Sequence, residues 1–162
     1  MANVLKYNRE DVIQKATTLF WEKGFHATSM RDLQDAIDMR PGSIYAAFGN
    51  KEGLFKEALK CYTDMGLEML SAESEKCSTP IEALRSFMRN AVTQSSSAPN
   101  RMCMLVKSIA ELTEENAELL GESQHLLHVI ENKFTELLEQ AKVSGELDQA
   151  KDPKRLARYL QV

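Results

Sequence analysis

This chain lacks most of what would mark a secreted, membrane-bound or catalytic protein. Its three cysteines, Cys61, Cys77 and Cys103, are odd in number, widely separated and without a paired zinc spacing. That excludes a disulfide framework or zinc finger and predicts free thiols in a reducing compartment. No apolar run approaches the roughly 18 residues of a membrane span, and the N-terminus has no apolar signal region, so a cytoplasmic protein without membrane partners is expected. There is no phosphate-cradling glycine loop, no His-Glu-x-x-His pair and no nucleophile elbow, and the carboxylates fall mostly on polar helix faces; neither an enzyme nor a bound cofactor is expected. Positive charge is not in excess. A formal net charge of −4 argues against a generally basic coat, so any nucleic-acid binding must come from local placement of charge. Residues 1–60 carry nine Lys/Arg against eight Asp/Glu, net +1, and residues 61–162 eleven against sixteen, net −5, a mild polarity that favours the N-terminal part for DNA.

Strand patterns and internal repeats are absent too, and what remains is a succession of amphipathic helices, an all-α chain long enough at 162 residues and 43% apolar content to bury a core. Asn8 can cap a first helix whose Val12, Ile13, Ala16, Leu19 and Phe20 share a face and which Gly24 ends. Thr28 and Ser29 then offer N-caps, with Asp32 three positions after Ser29, for a short helix with Leu33, Ala36 and Ile37 inward. Asp38 suits the turn, Pro41 suits a first helical turn, and Ile44 and Phe48 face the core of the next helix with Phe25. Two short helices three residues apart form a helix-turn-helix. The second displays Gly42, Ser43, Ala46 and Ala47, small enough to press against a groove, although small faces also occur where helices merely pack. Tyr45 adds a hydroxyl for a phosphate, and Asn50-Lys51 open a further helix whose free amides and ammonium suit the same strand. Lys6 and Arg9, at the N-terminal arm and the start of the first helix, can reach a phosphate backbone, and a frayed, solvated end explains the arm equally well.

Thr28-Ser29, Gly42-Ser43-Ile44-Tyr45, Phe48 and Lys51-Glu52-Gly53-Leu54-Phe55 resemble the N-terminal domain of the tetracycline-repressor (TetR) family, over about Arg9 to Phe55. The resemblance implies a three-helix DNA-binding domain, residues 1–52, and a helical ligand-sensing and dimerisation domain, residues 53–162. It places Arg40, Pro41, Ser43, Ala46 and Ala47 toward bases and Thr28, Ser29, Gly42, Tyr45 and Lys51 toward phosphates. Two positions depart from the family pattern: Gln34 stands where alanine is usual and Asp38 where glycine is usual in the turn. In the family two C-terminal helices usually build the dimer. Here the last helix stops at Val162 with its apolar face unfinished, and the sequence is expected to be part of a longer chain.

Beyond the head, helical spacing predicts a long helix from Asn50 to about Glu75 and one from Pro80 through Val92. A loop is expected at Ser95–Asn100, then a helix containing Met102, Leu105, Val106, Ile109 and Leu112. Thr113–Asn116 reads as a cap, with the following helix ending near Ser144-Gly145, and a last helix starts at Asp152-Pro153. Tyr62, Met65, Met69, Phe87, Met88, Met102, Cys103 and Phe134 are the candidates for an adaptable pocket for a flat or apolar ligand. Such stripes are also what plain core looks like. Cys103, with Arg101 and Lys107 nearby to favour its thiolate, is a candidate for reaction with an electrophile or oxidant, against the commoner inert cysteine. Glu122, His125 and His128 share a helix face but make a poor metal set. The function expected is a ligand-responsive repressor that binds a palindromic double-stranded operator as a homodimer and is released by a small-molecule inducer. An all-helical scaffold explains the helices equally well and leaves the small face, Tyr45 and Lys51 without a role.

Overall fold

The structure, a computed structural model, describes residues 7–94 and 97–161, the side chain of Gln94 aside. Lys6 and the start of the expected loop at Ser95 lie outside the described residues. Among the described residues eight α-helices follow in order: α1 Arg9–Lys23, α2 Met30–Ile37, α3 Pro41–Phe48, α4 Lys51–Lys76, α5 Pro80–Gln94, α6 Met104–Glu111, α7 Ala117–Val143 and α8 Pro153–Tyr159, with a 3-10 turn at Glu114–Asn116 before α7. Among the described residues there is no strand, and no helix is long and apolar enough to cross a membrane.

The helix ends sit where local chemistry puts them. Asn8 caps α1, its side chain accepting from Glu10 N and Asp11 N, and Gly24 closes it with a φ of 92°. Asp152 caps α8 in the same way, with Pro153 in its first turn. Gly145, at φ 81°, follows the end of α7.

The chain divides into two compact units. One comprises the described residues up to Tyr62 together with Met102–Ser123; the other comprises Thr63–Arg101 and the described residues from Gln124 onward. In the first, Phe20, Phe25 and Phe55 meet edge to face or tilted, with ring centroids 4.9 Å apart in both pairs. Leu33, Ile37, Ile44, Phe48 and Leu54 close the same core. Ala36, expected inward, is exposed, and Met39 is buried in the core; the tight turn after α2 draws Met39 in. In the second unit Leu70, Leu84, Phe134, Leu137, Leu138 and Ala157 form the core, with Ile81, Phe87 and Ile130 packed against it.

Candidate nucleic-acid interface

The head is built from α1, α2 and α3. Ser29 and Asp32 form a reciprocal capping box: Asp32 N donates to Ser29 Oγ at 3.1 Å and Ser29 N donates to Asp32 Oδ2 at 2.8 Å. Lys23, at the end of α1, reaches Asp32 Oδ1 at 2.7 Å and so ties α1 to the start of α2. That hydrogen bond, then those from Ser29, hold the Asp32 carboxyl far below the usual carboxylate range.

At the other end of α2 Asp38 adopts the left-handed conformation, φ 52° and ψ 47°, and its N–H donates to Gln34 O. Three residues later Pro41 opens α3 behind the extended Arg40. The left-handed turn is thus made with an aspartate, a residue type that together with asparagine tolerates it better than other non-glycine residues. Asn50 takes over at the far side, its side chain accepting from Gly53 N at 2.8 Å as α4 begins. A Cβ on Gly53 would collide with the Phe48 carbonyl, so glycine lets the start of α4 lie against the end of α3.

Most of the residues chosen for DNA share one open surface. Arg40, Pro41, Gly42, Ser43 and Ala46 are exposed, Tyr45 is 50% exposed, and Ala47 is half-buried, while Ile44 and Phe48 point into the core. Nothing in the protein lies within 4 Å of where a Gly42 side chain would start. Ser29 is exposed beside them. Lys51 is half-buried with its ammonium 4.3 Å from the centroid of the Phe25 ring. Burial pulls its pKa below the ordinary lysine value, and the charges of Glu111 and Glu52 oppose that shift. Thr28 is a correction. It is fully buried, and its hydroxyl donates to Gly24 O at 2.6 Å, so its role is to close the α1–α2 turn and not to meet a phosphate. Arg9 is exposed, and its guanidinium donates to Ala47 O at 3.3 Å, pairs with Glu57 at 3.2 Å and lies 4.6 Å from the Phe48 ring centroid. It joins α1 to the end of α3 and to α4.

Sequence reasoning missed how much of this unit α6 holds. Lys107 Nζ donates to Trp21 O at 3.0 Å and Glu22 O at 2.8 Å, and Glu111 Oε1 accepts from Phe25 N at 2.6 Å. Trp21 Nε1 donates to Met102 O at 2.8 Å. The only local trace is that Lys107 and Glu111 fall one turn apart on α6, which by itself reads as an ordinary surface pair. Lys107 is thus committed to carbonyls of α1 and not to Cys103.

The eight residues chosen for a ligand fall into two groups. Tyr62, Met102 and Cys103 lie in the first unit. There burial, and after it the neighbouring Cys103, push the Tyr62 phenol pKa up, and its ring meets the Trp21 ring edge to face at 5.0 Å. Met65, Met69, Phe87, Met88 and Phe134 belong to the second unit. Phe134 is core there, with Phe87 at its edge 5.7 Å away, and Met65 is 49% exposed. Two shallow depressions of that unit, one along Glu136, Glu139, Gln140 and Val143 and one along Asp152, Arg155 and Tyr159, include none of the eight. No group of three His, Cys, Asp or Glu among the described residues could hold a metal ion.

A three-helix head whose third helix has a small-residue, open face defines a helix-turn-helix protein. The pattern described as "Bacterial regulatory proteins, tetR family" matches residues 12–58. Among curated relatives, the HTH-type transcriptional repressor ComR of Escherichia coli K12 is 26% identical over 160 residues, covering 95% of this chain and 74% of its own length. The negative regulator of the biofilm operon icaADBC, IcaR of Staphylococcus aureus Newman, is 22% identical over 83% of this chain and 72% of its own. Among solved structures, a cysteine mutant of the TetR family regulator CifR, in complex with 26-bp double-strand operator DNA, superposes with a TM-score of 0.84. It is 26% identical over 96% of this chain and 81% of that one. Residues 12–58 thus match the DNA-binding domain of the tetR family of bacterial regulators, and the chain as a whole is similar to DNA-binding transcriptional repressors.

Proposed function

We propose that the chain is a cytoplasmic repressor that binds a palindromic operator as a homodimer and is released by a small apolar or aromatic inducer. The observation that carries the DNA half of this reading is the open face of α3, where Pro41, Gly42, Ser43, Tyr45 and Ala46 stand out from a base of buried Ile44 and Phe48. Small side chains let a helix backbone approach the groove floor, Arg40 and Ser43 carry groups that can read base edges, and Tyr45 and Lys51 carry phosphate donors. The likeness to CifR, solved in complex with a double-strand operator, supports the reading of this chain as an operator-binding protein. Two such heads must stand about one helical turn, roughly 34–36 Å, apart to occupy successive major grooves. An inducer releases DNA only by as much as it prefers the conformation in which that spacing is lost. Tyr62, Met65, Met69, Phe87, Met88, Met102, Cys103 and Phe134 remain the side chains proposed to meet it.

The test is capture of sheared genomic DNA by the purified protein at moderate salt, with a Ser43→Ala/Tyr45→Ala variant alongside. A few enriched fragments sharing an inverted repeat, absent with the variant, are expected. On the recovered site, Tyr45→Phe weakens binding on all sequences alike, whereas Arg40→Ala and Ser43→Ala change which bases are preferred. Equal losses on operator and scrambled DNA from all three would overturn this division of roles.

A further inference from the structure

The residues proposed to meet DNA lie at the start of α2, on and just before α3 and at the start of α4, yet several of the polar contacts that hold the exit of α1 come from α6. An α-helix ends with four carbonyls lacking an intrahelical partner. At the end of α1 two of them, Trp21 O and Glu22 O, accept from the one ammonium of Lys107, a cation at the negative end of the helix dipole. One turn further along α6, Glu111 takes the N–H of Phe25, and its carboxylate lies so close to Gly24 that a Cβ there would run into it. Trp21 closes the set with its indole N–H on Met102 O, just ahead of α6. Three residues between Trp21 and Phe25, namely Trp21, Glu22 and Phe25, are therefore held from α6 and from Met102 just ahead of it. They lead directly into Thr28, buried on Gly24 O, and Ser29, the cap of α2.

We propose that Lys107 and Glu111 are positioning residues for DNA recognition: from α6 they fix the α1–α2 turn, and through it the direction in which α3 is presented, without touching DNA themselves. The proposal rests on the DNA-binding reading above. Charge-assisted bonds of this kind are directional, so cutting one frees the turn to settle in more than one orientation. Phosphate attraction tolerates such freedom, whereas paired hydrogen bonds to base edges do not.

The experiment compares the full chain with Lys107→Met, Lys107→Arg, Glu111→Ala and Glu111→Gln on a duplex selected by the wild type from random sequence and on a scrambled duplex, across a salt series. Lys107→Met and Glu111→Ala are expected to weaken the selected duplex about tenfold and the scrambled one less than about threefold, with the slope of log K on log salt unchanged. Lys107→Arg and Glu111→Gln, which keep the donor and the acceptor, stay near wild type. Trp21 is the only tryptophan, and its emission shifts in the two disruptive variants and not in the two conservative ones. Equal losses on both duplexes, a salt slope lower by about one, as for a lysine on a phosphate, or unchanged affinity would each overturn the proposal. Loss of the helical circular dichroism in both disruptive variants would do the same, since the contacts would then hold the fold and not a direction. A wild type that selects no duplex at all would overturn the DNA-binding reading itself.

Discussion

At Gly42 and Asp38 single side chains decide between stability and recognition. Gly42 lies in the first turn of α3 with open space where a Cβ would go. Alanine there should leave the fold intact or raise its stability by up to about 1 kcal/mol, because it removes chain entropy from the unfolded state. If that space is filled by a DNA backbone, the same methyl group weakens operator binding. Gly42→Ala is thus expected to show an unchanged or higher urea midpoint with at least about tenfold lower DNA affinity, which separates a binding defect from a folding one. Asp38 presents the opposite case. Its φ of 52° suits glycine better than any residue with a Cβ. Asp38→Gly is expected to stabilise by about 0.5–1 kcal/mol in equilibrium denaturation, and an unchanged or lower midpoint would show that the aspartate side chain compensates for its backbone.

Among the elements, α2 is the one whose start depends most on charge. Its capping box and the bridge from Lys23 meet on the Asp32 carboxylate. Because the folded-state pKa of Asp32 lies below its ordinary 3.8, the stability it contributes is present above that value and is lost as pH falls below it toward the folded-state value. Asp32→Asn should therefore melt lower than the wild type at neutral pH, and the gap should close as the pH is taken below about 4. A gap that stays constant down to pH 3 would mean that the carboxylate's charge is not what caps α2. The box was legible in sequence as Ser29 and Asp32 three apart, a local rule that needs no fold. Lys23 was not, because nothing along the chain says that the end of α1 returns to the start of α2. Arg9 illustrates the same limit: nothing along the chain says that Ala47 O, Glu57 and Phe48 lie around this basic residue at a helix start.

For the molecule as a whole, the two units carry different kinds of polar group. Buried charge stands out in the second, where Glu131 is 5% exposed yet bonded to Arg158 Nε at 3.1 Å from α8 and to His128 Nδ1 at 3.3 Å. A carboxylate taken out of water is tolerated only with such partners. Arg158→Met should lower the unfolding free energy by about 1–2 kcal/mol, discounted because the arginine side is largely exposed, and a melting temperature equal to wild type would show that His128 and solvent suffice. Net charge acts at this scale as well. The chain is acidic at −4, so the head must bind against a repelling body, and affinity for DNA should fall steeply as salt rises.

What the sequence determined by itself was everything governed by near neighbours. The positions of α1 to α8 follow from apolar spacing and from caps at Asn8, Ser29 and Asp152, and the open face of α3 follows from the alternation of small residues with Ile44 and Phe48. Tertiary structure alone decided which polar groups are occupied. Thr28 is spent on Gly24 O, Arg9 on α3 and α4, and Lys107 and Glu111 on the exit of α1. The reason is physical: a helix and its caps are set by hydrogen bonds within a few residues, whereas a long side chain takes whichever partner folding brings to it. For Lys107 and Glu111 that partner lies 86 residues away along the chain.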